Sequence, residues 1–124
     1  MDGITLIIDE RVKQTQKLGR TVIHDVTNNS EYQLIDAVSA LIIDPPLELR
    51  DTFIESQSSY PPVGWDREKW KKLLEHPYTK RLQIAGALIA AEIDRVNFKL
   101  TLADDGQSSG ISQGGSSTEI SVRL

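Results

Sequence analysis

TKRLQIAGALIAAEIDRVNF, residues Thr79 to Phe98, decides the fold. Apolar or small side chains cover most of its circumference between Leu82 and Ile93, and a helix apolar on nearly every side is a central one that touches several neighbours. Ala85, Gly86, Ala87, Ala90 and Ala91 offer a smooth surface that lets another helix, from this chain or from a second copy, approach closely. Arg81, Glu92, Arg95 and Lys99 fall on roughly one side of it, beside Leu88.

Working outward, Gly3 to Leu18 reads as a helix ended by Gly19, which takes the left-handed conformation cheaply. Helical spacing puts Ile7, Ile8, Thr15 and Leu18 along one core-facing stripe. Arg11 falls at the centre of that stripe, with Gln14 and Glu10 along its margin. Arg20 to Thr27, RTVIHDVT, is too brief to insist on a strand and reads as an ordered loop. Asn28 then caps a helix with Glu31 as its reciprocal partner, Leu34, Ala37, Val38 and Leu41 face inward, and Pro45-Pro46 stops it. Leu47 to Ser56 forms a short helix or turn. Asp66 caps a helix over Arg67 to Glu75 with Trp70, Leu73 and Leu74 inward. From Gly106 to Ser117 nine of twelve residues are Gly or Ser, a composition that cannot offset the entropy of ordering. The expected architecture is an all-α single domain of four to five helices over residues 1–102, followed by a flexible tail at 103–124.

Composition excludes several classes. The chain has 124 residues, 14 Lys+Arg against 18 Asp+Glu and a formal charge of -4, which argues against an obligate nucleic-acid binder. The absence of cysteine removes disulfide frameworks, thiolate zinc sites and cysteine nucleophiles, and suits a reducing cytoplasm. The start, MDGITLIIDER, lacks the basic leader of a secretory signal. The most apolar stretch, Ile84 to Ala91, is less than half the roughly 20 residues of a bilayer span, so no membrane association is expected.

Arg11 is the most informative candidate. A charge in a core stripe is costly unless paired, and Glu31 or Glu92 is the natural partner. The bland reading is a buried Arg–Glu bridge between helices. The functional one is a polar pocket in which Arg11 meets an anionic ligand group. His24-Asp25 could begin a metal site, but the sequence holds one other histidine, His76, too few for a multi-histidine centre. Glu92 and Asp94 are two apart, about 200° around a helix, whereas two acids sharing one metal need spacing of three or four. Glu10, Asp25, Glu31 and Glu92, one from each segment, would have to converge for magnesium chemistry. Trp65 and Trp70 either offer a stacking surface or anchor the Pro-rich turn before them. There is no glycine-rich phosphate loop and no G-x-S-x-G elbow.

Glu10-Arg11-x-x-Gln14, Gly19, His24-Asp25, Glu31, Trp65-Asp66 and the closing Leu82-x-x-Ala85-Gly86-Ala87-Leu88-Ile89-Ala90-Ala91-Glu92-Ile93-Asp94-Arg95 resemble, in order, a family of small proteins encoded by bacteriophages and prophages. The resemblance covers roughly residues 3–97. It implies a phage or prophage context within a bacterial host cell, a helical fold and a shared polar constellation, without implying a reaction. Arg20 stands where an aromatic is frequent in that family, and Val26 where many relatives are more acidic, which weakens a metal reading and leaves Arg11 untouched.

The expectation is a cytoplasmic accessory protein that binds an anionic small molecule, of the class of a nucleotide or nucleotide-derived signal, without turnover. It would need no cofactor and would use Arg11, Gln14, Arg20, His24, Asp25, Glu31, Arg81, Glu92 and Arg95. The alternative is a magnesium-dependent enzyme resembling nucleotide pyrophosphohydrolases, with Glu10, Asp25, Glu31 and Glu92 at its centre. A third reading is a structural or host-interaction protein that works through its tail. Self-association into a homo-oligomer would use the Ala/Gly face of the closing helix.

Overall fold

A computed structural model describes residues 1–107, with side chains to Leu102. The fold is all-α, as the periodicities imply: six α-helices and no strand among the described residues. They are α1 (Gly3–Val12), α2 (Val22–Asn28), α3 (Gln33–Leu41), α4 (Arg50–Ser58), α5 (Arg67–Leu74) and α6 (Tyr78–Gln107). A π-helical turn, Lys13–Lys17, continues α1, and a 3-10 turn, Leu47–Leu49, leads into α4. No described helix is long and apolar enough to cross a membrane.

α6 packs against α1, α2 and α3, while α4 and α5 pair with each other and α5 leans on α3. The apolar core lies on one side of α6, where Leu34, Ala37 and Leu41 of α3 meet Ile54, Trp70 and Leu74 and the α6 residues Ile84, Leu88 and Ala91. The other side is built differently. The buried residues of α1, the π turn and α2 are Glu10, Gln14 and Asp25, all polar. Close helix approach occurs where the small residues of α6 allow it: a Cβ added at Gly86 would lie 2.7 Å from Ile7 Cδ1.

Several expectations are corrected. The first helix does not run unbroken to Leu18. Ile8 and Leu18 are exposed rather than core-facing, because α1 turns its Glu10 and Gln14 side inward. The segment at 20–27 is helical: Thr21 caps α2, its Oγ1 accepting from the His24 N–H at 3.2 Å. Asn28 therefore ends α2 instead of capping α3, and its amide donates to the His24 carbonyl. α3 has no side-chain cap, and the Glu31 N–H donates to Gln33 Oε1 at 2.9 Å. Asp66 does cap α5, accepting from the Lys69 N–H at 2.9 Å. α2, expected as a loop, and α4, expected as a short helix or turn, bring the helix count to six, and α6 continues past Phe98 to Gln107. The first residues of the expected tail, 103–107, thus belong to α6, and its remainder, 108–124, lies outside the described residues.

Candidate functional site

The polar half of the interior begins with the distortion after α1. Thr15 Oγ1 donates back to the carbonyls of Arg11 and Val12, at 3.2 and 3.1 Å, competing with the α-helical bonding of those groups. The turn widens, and the Leu18 N–H reaches back five residues to the Lys13 carbonyl. Such π turns recur at functional sites. Gly19, at φ 71°, then reverses the chain so that the Arg20 N–H bonds the Gln14 carbonyl at 2.8 Å. The widened turn and the left-handed glycine thus set Gln14 and Arg20 beside each other.

α2 adds Asp25, 1% exposed. Its Oδ1 accepts from Asn29 Nδ2 at 2.8 Å, and Asn29 Oδ1 in turn accepts from Trp65 Nε1 at 2.7 Å. This chain runs across the fold to the loop before α5, where Trp65 rests edge-on against Trp70, so Trp65 does anchor its turn. His24 Nδ1 lies 3.5 Å from Asp25 Oδ1 at the partly exposed edge. Lys80 Nζ donates to the buried Glu10 at 2.7 Å. Arg95 grips Glu92 through Nε and Nη2 at 2.7 and 2.8 Å and donates from Nη1 to the Ser30 carbonyl at 2.9 Å. The Glu92 hydrogen bonds hold the Arg95 guanidinium above its ordinary pKa despite burial.

Two members of this cluster are unsatisfied. Gln14 is 1% exposed and neither its Oε1 nor its Nε2 has a partner among the described residues; Asp25 Oδ2 has none there either. Arg20 is mostly buried, with its guanidinium 5.8 Å from the Trp65 ring centre, and its side chain makes no hydrogen bond or ion pair among the described residues. Burial lowers its pKa, and the charges of Asp25 and Glu10 oppose that shift. The shallow surface grooves, along α1 and the π turn, on α4, and beside Arg95 and Lys99 on α6, do not include Gln14, Arg20 or Asp25.

The residues singled out from sequence divide accordingly. Gln14, Arg20, His24 and Asp25 gather on this side of α6, with Arg95 and Glu92 joined as an ion pair next to them. Arg11 sits at the margin as a clamp: Nη1 donates to the Arg20 carbonyl at 3.3 Å and Nη2 to Asp94 at 3.1 Å, in place of the expected Glu31 or Glu92. Glu31 is exposed and takes no part. Arg81, 14 residues and about 21 Å along α6 from Arg95, ties down the end of α3 through the carbonyls of Leu41 and Ile43 and bonds the His76 carbonyl. With Glu10 on Lys80, Glu92 on Arg95 and Glu31 outside, the four acids of the magnesium reading do not converge. Among the described residues no three His, Asp or Glu side chains are grouped as metal ligands. Asn29 and Lys80 escaped the sequence reading. Asn29 becomes legible once α2 is a helix, since it then stands one turn after Asp25.

No protein-family model, curated protein or solved structure matches this chain.

Proposed function

We propose that the protein binds a small anionic molecule, a nucleotide or nucleotide-derived signal, and holds it without turnover as an accessory protein of a phage or prophage. One observation carries this reading: the mostly buried Arg20 side chain has no hydrogen-bond or ion-pair partner among the described residues, and its backbone N–H bonds the carbonyl of the fully buried Gln14, whose carboxamide is equally unpartnered there. Buried polar groups are ordinarily paired, and an unpaired cation in a partly desolvated setting is costly. An anionic group against Arg20 removes that cost, and a guanidinium fork matches phosphate oxygens well.

Lys80 neutralises Glu10 and Arg95 neutralises Glu92, so Arg20 and Asp25 are charges left there without a bonded ion-pair partner among Lys, Arg, Asp and Glu of the described residues, and a ligand with both an anionic and a hydrogen-donating part would match them. Arg20 is part-exposed, as are His24 and Trp65, so an anion reaches its guanidinium from solvent. Among the described residues the acids are not grouped as ligands for a metal. Thermal unfolding of the full chain with a panel of nucleotides and cyclic nucleotides, with and without Mg²⁺, tests the reading. Stabilisation without metal, with the nucleotide recovered intact by chromatography, is expected. Consumption of the nucleotide in the presence of Mg²⁺ would replace this reading with the hydrolase.

A further inference from the structure

α1 is amphipathic with its faces exchanged. Glu10 and, in the π turn, Gln14 are buried, whereas Ile4, Ile8 and Val12, at i, i+4 and i+8, form an apolar stripe that is exposed along its length. The adjoining face of α6 repeats the pattern. Ile7 meets the notch at Gly86, yet Leu82, Ile89 and Ile93, which stand at i−4, i+3 and i+7 from that glycine, are exposed. Single exposed hydrophobes are ordinary, but a run of them on two helices in contact marks an interaction surface. The small residues of α6 are already used within the chain, since Ala85, Ala87 and Ala91 are buried and Ile7 covers Gly86.

The charges beside the stripe indicate what covers it. Asp2 stands at the start of α1, while the shallow groove at the far end is lined by Val12, Lys13 and Lys17, with Asp9 and Gln16. The stripe thus runs from an acidic end to a mainly basic one. A second copy laid antiparallel about Ile8 brings Ile8 onto Ile8 and Ile4 of each copy onto Val12 of the other. Asp2, six residues before Ile8, then falls between Lys13 and Lys17 of the other copy, which stand five and nine residues after it. Parallel pairing would set lysine against lysine. A lipid surface favours basic residues along the whole polar border of a helix, and Asp2 and Asp9 interrupt that border.

We propose that the protein forms a two-fold symmetric dimer through α1, antiparallel and centred on Ile8, with the Gly86 face of α6 alongside. A two-fold interface requires one patch to complement itself, and this stripe does so in both shape and charge. The proposal is independent of the ligand.

The chain has no cysteine, so single introduced cysteines report the contact cleanly. Analytical ultracentrifugation of the full-length protein is expected to show a dimer at micromolar concentration. Ile8→Asp places a carboxylate at the axis from both copies, and is expected to raise the dimer dissociation constant about a hundredfold or more with helical content unchanged. Under mild oxidation with diamide, the Ile8→Cys protein is expected to crosslink to itself, and the Ile4→Cys protein to crosslink to the Val12→Cys protein in preference to itself. Leu47→Cys, exposed ahead of α4, gives the background rate of random collision. A monomer at every concentration reached overturns the proposal and leaves the stripe to a different partner. A dimer that survives Ile8→Asp, or Ile8→Cys crosslinking no faster than Leu47→Cys, puts the interface elsewhere and overturns it as well. Ile4→Cys crosslinking to itself in preference to Val12→Cys overturns the antiparallel arrangement. Should Ile8→Asp fail to unfold cooperatively, the cysteine variants decide alone.

Discussion

Gly86→Ala tests how α1 is held against α6. A Cβ at residue 86 would lie 2.7 Å from Ile7 Cδ1, 2.8 Å from Cγ1 and 3.3 Å from Cγ2. All three atoms belong to one β-branched side chain that is stiff at χ1 in a helix, so no flexible tip can swing aside and α1 must move away. Overpacking of this kind costs about 1–3 kcal/mol. Against it, alanine is favoured over glycine in a helix interior by about 1 kcal/mol. The expected net loss is therefore about 1 kcal/mol, or a fall in Tm of roughly 4–8 °C for a domain of this size. In an Ile7→Ala background the obstruction is gone, and the same substitution should stabilise by about 1 kcal/mol. Urea unfolding of the wild type, both single variants and the double variant gives the coupling directly. A Gly86→Ala effect of the same sign and size in both backgrounds would refute the packing argument. Because α1 carries Glu10 into the interior and leads into the π turn that carries Gln14, the single variant should also weaken ligand binding.

Gln14→Met, a near-isosteric change that removes two unsatisfied atoms, is expected to stabilise the ligand-free protein by about 1–2 kcal/mol while removing nucleotide binding; a destabilised variant in denaturant titration would show that the carboxamide is satisfied in the native state. Thr21→Ala deletes the cap of α2 and should cost about 1 kcal/mol in thermal unfolding, with loss of helical signal confined to that segment. Arg11→Ala removes the clamp between Asp94 and the Arg20 carbonyl, and should lower stability by about 1–2 kcal/mol while leaving ligand affinity within a factor of a few. The Thr5 backbone N–H holds the Asp2 carboxyl below its ordinary range. Its capping contribution is therefore fully present at neutral pH and is lost as pH falls through that lowered value, so the stability gap between wild type and Asp2→Ala should close in acid.

The apolar half of the molecule was legible in the sequence. Leu34, Ala37, Val38 and Leu41 on α3, and Trp70 and Leu74 on α5, announce themselves by period, and Asp66 and Pro45-Pro46 by chemistry. The polar half was not, because its inward residues break the rule by which inward faces are found. A stripe search on α1 selects Ile8 and Leu18, which are exposed, and places Arg11 at the centre when Glu10 and Gln14 are the buried pair. α2 has too few residues for a period to register, and a Thr cap followed by VIHDVTN reads equally well as a strand or a loop. Arg20, Gln14, His24 and Asp25 were chosen from sequence as residue types, but what joins them, the widened turn at Thr15 and the Asp25–Asn29–Trp65 chain, depends on tertiary contacts. Glu31 and Arg81 were chosen on the same grounds and lie elsewhere.

Lys13–Lys17 contains one residue more than an α-helix would use to cover the same path. An in-frame loss of a single codon, Thr15 for instance, would let the turn close regularly, and the resulting helix should be no less stable. Because the path is the same, α1 before the turn and Gly19 after it would keep their places, whereas the same loss inside α3 or α6 would rotate everything beyond it by about 100°. A deletion screen scored on folding should therefore pass the loss of one residue at Lys13–Lys17 and reject it in the interiors of α3 and α6, which makes this turn the point in the first helix where chain length can change by one.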